Sequence, residues 1–118
     1  MKKQIWITFD KVGFHRYPDA PEEVAYLRDR HRHIFKFRVT MDVGHSNREV
    51  EFHMLKSWCV SLYETHALEL DHKSCEMLAE ELLDKLSERY NPFEFSVPRG
   101  MSVEVSEDGE CGAIVQRG

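Results

Sequence analysis

Two histidines one residue apart, His31 and His33, open a run in which every second position is apolar: Phe35, Phe37, Val39, Met41 and Val43. On an extended strand alternate side chains share a face. Both imidazoles would therefore stand side by side on the face that the apolar residues bury. Neutral imidazole is the commonest protein metal ligand. A third histidine, His15, ends an earlier stretch of alternating apolar residues. Three imidazoles meeting at one end of a sheet would hold a tetrahedral zinc ion with its fourth position open, the arrangement of a catalytic site. The alternative is that they are solvated or capping histidines, since the chain has seven in all.

The elements that must position these residues follow from periodicity. Ile5, Ile7 and Phe9 alternate with polar neighbours and predict a strand over 3–12. Gly13 then suggests a bulge or bend just before His15. Residues 17–30 read as a long loop with one helical turn at 21–27, where Pro21 is followed by Glu22 and Glu23. A second strand is predicted over 33–43, and Gly44-His45-Ser46-Asn47 reads as a turn. From about Glu51 the period becomes helical, with Phe52, Leu55, Trp58, Cys59 and Leu62 on one side. A second helix is predicted from Ser74, a good N-cap, to Asn91-Pro92. After a loop ending at Pro98-Arg99-Gly100, alternation over 101–106 and 111–116 predicts two strands joined by the turn dipeptide Asp108-Gly109. This order predicts a single α+β domain over 1–118: a four-stranded antiparallel sheet with two helices packed on one face, ββααββ. Two open sheet edges favour association with further copies.

Composition narrows the function. With 42% hydrophobic and 31% charged residues the chain is an ordinary globular sequence. No apolar run approaches the roughly 20 residues of a membrane span. The N-terminus lacks the features of a signal peptide, so a cytoplasmic protein is expected. Three cysteines without motif spacing argue against a disulfide framework or a cysteine zinc module. A formal charge of −5 disfavours nucleic acid as a partner. Arg28, Arg30, Arg32, Lys36 and Arg38 form one basic stretch, either a solvated strand face or a phosphate-facing rim.

Five segments, in order, resemble the 6-pyruvoyl-tetrahydropterin synthase and 6-carboxy-tetrahydropterin synthase family. They are Phe9 with His15-Arg16-Tyr17-Pro18, His31-Arg32-His33-Ile34-Phe35, Glu51-Phe52-His53-Met54-Leu55-Lys56, Ser74-Cys75-Glu76-Met77-Leu78-Ala79, and Val103-Glu104-Val105-Ser106-Glu107. The resemblance implies the tunnelling fold, assembled into trimers or hexamers. It implies Zn2+ held by His15, His31 and His33, and a pterin ring anchored by Glu107. It implies a lyase acting on dihydroneopterin triphosphate, in biosynthesis of the queuosine or biopterin type. It also implies an Asp-His proton relay supplied by a partner subunit, matched by Asp71 and His72 in Leu70-Asp71-His72, with His66 as a competing histidine. Asp71 and His72 read equally well as residues capping a helix start.

The sequence departs from the family in four places, one of them a stretch before His15 longer than the family's two small residues. Where the family has a catalytic cysteine before its His-Gly-His, this chain has Tyr26-Leu27-Arg28-Asp29-Arg30, with Asp29 or Tyr26 as substitute bases. Arg32 replaces the glycine between the ligand histidines, and alternation puts it on the opposite face from both. The Leu-Asp-His segment lies almost against the second helix. Three readings follow: a zinc enzyme with an altered base, a noncatalytic tunnelling-fold protein that binds a pterin or purine-like ligand, or an oligomeric scaffold whose histidines bind nothing.

Overall fold

The computed structural model describes residues 1–90 and 99–118. Two long strands, β1 (Lys3–His15) and β2 (His31–Val43), pair antiparallel without interruption from Lys3 opposite Val43 to His15 opposite His31. Odd-numbered residues of both strands face the helices. Ile7, Phe9, Phe35, Phe37, Val39 and Met41 are buried there, while Trp6, Thr8, Asp10, Lys36 and Arg38 face outward. Burial of each such large apolar side chain contributes about 1.5–3 kcal/mol. Phe9 and Phe37 stack with ring centroids 4.6 Å apart across the pair.

The bulge expected before His15 is not in the β1–β2 ladder, where Gly13 lies opposite His33 in register, but on the other edge of β1, where the register with the strand at 68–71 shifts between Phe14 and His15. The glycine has another cause. A Cβ at this position would come within 2.8 Å of the Phe35 ring. The missing side chain makes room for Phe35, which lies beneath the histidines.

Between β1 and β2 a short 3-10 segment, Glu22–Leu27, follows Pro21, close to the helical turn expected there. Helix α1 (Phe52–Ser61) is capped by Glu51, whose carboxylate accepts from the Met54 amide at 2.9 Å. Helix α2 (Cys75–Tyr90) starts after Ser74, whose hydroxyl accepts from the Met77 amide at 3.2 Å. The expected stop at Asn91-Pro92 and the loop up to Pro98 lie outside the described residues. Neither helix is long and apolar enough to cross a membrane.

The sheet has five strands in the order β3-β1-β2-β4-β5, not the expected four. β4 (Met101–Glu107) and β5 (Cys111–Arg117) form the expected hairpin. Its turn has Asp108 at φ 58° and Gly109 at φ 76°, the positive-φ pair that a type I′ turn requires. The added strand, β3 (Leu68–Asp71), runs parallel to β1 at the sheet edge, so the sheet is mixed rather than antiparallel. Leu68 and Leu70 bury on the helix side while Glu69 and Asp71 face out. Four residues with one partner strand give too short an alternation to stand out beside a helix cap.

Candidate metal centre

The continuous β1–β2 register sets the site. It places His15 directly opposite His31, with His33 two residues further along the same face of β2. The rings lie at mutual centroid distances of 4.6, 4.9 and 5.3 Å. One ring nitrogen from each lies within 4.8 Å of the others. Phe35 forms an apolar floor, its ring 5.1 Å from that of His15 and 5.8 Å from that of His33.

Each histidine is held by its other nitrogen. Nδ1 of His15 is 2.9 Å from the Lys73 carbonyl, and Nδ1 of His31 is 2.8 Å from the Asp29 carbonyl. A carbonyl only accepts, so both Nδ1 atoms carry the proton. Nδ1 of His33 donates to the Asp108 carboxylate at 2.7 Å. These bonds leave the three Nε2 atoms for the inner side, where that of His15 lies 3.2 Å from Glu107. Nε2 of His31 and of His33 is buried without a hydrogen-bond partner. Buried polar atoms are normally paired. Two orphaned acceptors beside a third imidazole fit a divalent ion, and outer acceptors on Nδ1 are how proteins orient metal-binding histidines.

Asp108, expected only as half of the hairpin turn, also contacts the histidine cluster. Its Oδ1 accepts from the Ile34 amide at 2.8 Å while Oδ2 takes the His33 proton. The Ile34 amide first, and His33 second, hold its carboxyl below the usual range. Asp108→Asn keeps the turn chemistry but removes the charged acceptor. Metal affinity should fall about 10–100-fold, the usual effect of an outer partner, when measured by chelator competition.

Glu107 lies at the end of β4, opposite Phe35 on β2. Its Oε1 is 3.2 Å from His15 Nε2 and its Oε2 is 3.4 Å from His33 Nε2. A cavity of about 440 Å³ opens here, lined in part by His15, His31, Glu107, His72, Cys75 and Cys111. Cys111 is the cross-strand neighbour of Glu107 and is exposed. Burial pushes the thiols of Cys75 and Cys59 up to about 12, so both act as small apolar groups. A larger groove of about 580 Å³ runs over the outer sheet face near Lys36 and Glu104, away from the histidines.

Asp71 and His72 follow from β3. Asp71 sits at φ 52°, and this backbone bend turns the chain from the strand toward α2. The Asp71 carboxylate takes a bond from Arg16 Nε at 2.7 Å and approaches His72 Nδ1 at 3.3 Å. Arg16, and then His72, lower its pKa. The structure brings His72 to the cavity wall, whereas His66 is exposed ahead of β3 and does not line that cavity. Of the substitute bases, Tyr26 is 76% exposed, and Asp29 contributes its carbonyl to His31 while its side chain lies at the surface.

Arg28, Arg30 and Arg38 of the basic stretch are engaged within the chain. Arg30 pairs with Glu69 and covers the Phe14 ring, Arg28 binds the Ala20 carbonyl and Glu22, and Arg38 lies over Trp6 beside Glu104. Arg32 is exposed on the outer face, as alternation requires.

The architecture is thus an α+β domain with two helices on one face of a five-stranded sheet and a histidine cluster at one sheet end. No protein-family model matches the sequence, and no curated protein matches it. Solved structures do. A catalytic-residue variant of 6-pyruvoyltetrahydropterin synthase from Plasmodium vivax matches with a TM-score of 0.73 at 15% identity, over 99% of this chain and 98% of that one. The structure of that synthase at 2.2 Å matches with a TM-score of 0.68 at 16% identity, over 99% and 98% of the two chains. An uncharacterized protein from Wolinella succinogenes matches with a TM-score of 0.72 at 17% identity, over 100% and 99%. The chain therefore has the fold of the 6-pyruvoyltetrahydropterin synthase structures over nearly its whole length.

Proposed function

We propose that this protein is a zinc-dependent, pterin-processing enzyme that resembles 6-pyruvoyl- and 6-carboxy-tetrahydropterin synthases. Its substrate is dihydroneopterin triphosphate or a related pterin, and it works as a cytoplasmic homo-oligomer, a trimer or hexamer. The observation that carries this reading is the convergence of one ring nitrogen from each of three histidines, whose Nδ1 atoms each face an acceptor. His15, His31 and His33 would hold the ion. Three neutral imidazoles are a donor set that suits zinc. Bound zinc supplies Lewis acidity toward a substrate oxygen.

The chain's own groups do the rest. Glu107 accepts two parallel N–H bonds from the aminopyrimidine edge of the pterin, a charge-assisted pairing that fixes the ring. His72 accepts a substrate proton at Nε2, while Asp71 holds Nδ1–H and stabilises the imidazolium that forms. Phe35 and Leu27 exclude water from the floor and wall of the site.

One observation favours a second reading, a binding protein without turnover. The segment that carries the family's cysteine places Leu27 on the cavity wall and supplies no thiol there. Two measurements on the purified protein separate the readings. Stoichiometric zinc together with turnover of dihydroneopterin triphosphate, followed by pterin fluorescence, supports the enzyme. Zinc with saturable pterin binding but no turnover supports the binder. Absence of both removes the two together.

A further inference from the structure

We infer that Arg16 is a positioning residue: it turns the Asp71 carboxylate so that this group holds the His72 ring with Nε2 toward the metal cavity. The inference rests on the proposed role of His72 and adds to it the residue that aims the ring. Arg16 directly follows His15, the last residue of β1, and meets Asp71 twice. Its amide donates to the Asp71 carbonyl at 2.7 Å, and its Nε donates to Asp71 Oδ1 at 2.7 Å. The residue so gripped has φ 52°, a conformation that a side-chain-bearing residue keeps where its surroundings hold it.

The two carboxylate oxygens divide the work. With Oδ1 taken by Arg16, Oδ2 is the oxygen that faces His72 Nδ1, at 3.3 Å. A proton kept on Nδ1 leaves Nε2 as the acceptor of the ring. The Arg16 guanidinium, ahead of His72, also holds the Asp71 carboxyl below its usual range, so the ring meets a charged partner. The same turn is tied down on its other side, where the Lys73 carbonyl accepts from His15 Nδ1 at 2.9 Å. His15 and Arg16 thus fasten both flanks of His72, and all three residues line one cavity. The Arg16–Asp71 pair is exposed, and such pairs contribute little to stability. Loss of Arg16 should therefore show in the state of His72 rather than in the melting temperature.

The test uses the full-length protein labelled with 15N-histidine and supplied with zinc. Wild type, Arg16→Gln, Arg16→Lys and Arg30→Gln are compared by nuclear magnetic resonance at a pH where the His72 ring is neutral. In wild type the ring nitrogens should give the signature of a proton fixed on Nδ1. Arg16→Gln should move them toward the mixed tautomers of a free imidazole, and Arg16→Lys, which keeps the charge, should recover part of the wild-type signature. Arg30→Gln breaks the neighbouring ion pair to Glu69 on the same edge strand and should leave the ring unchanged. In turnover of dihydroneopterin triphosphate, Arg16→Gln should lower kcat about tenfold, less than removal of the base itself, with KM and zinc content unchanged. An unchanged His72 signature in Arg16→Gln overturns the inference. So does an equal change in Arg30→Gln, or a changed signature with kcat at the wild-type value. If wild type turns over no pterin triphosphate, the enzyme reading fails on that count, while the ring signature still decides whether Arg16 aims His72.

Discussion

Replacing His33 by alanine should leave a folded protein that no longer retains zinc through desalting. The ring is a partly exposed side chain at a sheet end, so its removal opens no large core cavity. What it removes is one of three converging nitrogens, and with it the purpose of the Asp108 contact. Two imidazoles hold zinc far less well than a complete set. The loss should also appear as stability. A ligand present at 1,000 times its dissociation constant stabilises the native state by about 4.1 kcal/mol. Wild type should therefore melt higher with zinc than after chelation, and His33→Ala should melt at one temperature in both conditions. His45→Ala, at an exposed turn away from the site, is the matched control. Full zinc retention by His33→Ala would exclude that side chain from the centre.

His72→Gln should lower turnover of dihydroneopterin triphosphate by about 100- to 10,000-fold, the usual contribution of a positioned acid or base. Zinc content should stay at the wild-type level, because His72 lies outside the cluster of three nitrogens. Asp71→Asn should have a smaller effect in the same direction, since it leaves the imidazole in place and removes its negative partner. Its effect on folding is separable, because Asp71 also binds Arg16 and a melting curve reports that loss. An unchanged turnover number in His72→Gln, with metal intact, would exclude this histidine from proton transfer.

Much of this architecture is written in side-chain alternation. The spacing of His31, His33, Phe35 and Phe37 is that of one strand face, and His15 falls on the paired face of β1. Those residues could be found because each side chain's type and parity carry information. What holds them in place is less visible. His15 and His31 are oriented by the carbonyls of Lys73 and Asp29, and every residue has a carbonyl. No sequence pattern distinguishes the ones that matter. Asp108 was hidden for another reason. Asp-Gly is sufficiently explained by the turn, so the second task of its carboxylate left no separate trace.

The fifth strand shows a different limit. Leu68-Glu69-Leu70-Asp71 alternates, but over too few residues to declare a strand, and its partner β1 is more than fifty positions away. Its effect on the site is large all the same. Pairing of β3 with β1 fixes the turn in which the Lys73 amide binds the Leu70 carbonyl at 3.0 Å, and that turn delivers the Lys73 carbonyl to His15. The short segment between the two helices thus proves to be part of the frame around the histidines.

The three acceptors on the ring nitrogens come from the approach to β2, the turn before α2 and the β4–β5 hairpin, segments far apart along the chain. An ion seated among the rings would rivet these segments together. Loading it should slow amide hydrogen exchange around 29–33, 71–73 and 107–110 at once, while the opposite end of the ribbon near Lys3 and Val43 keeps its rate.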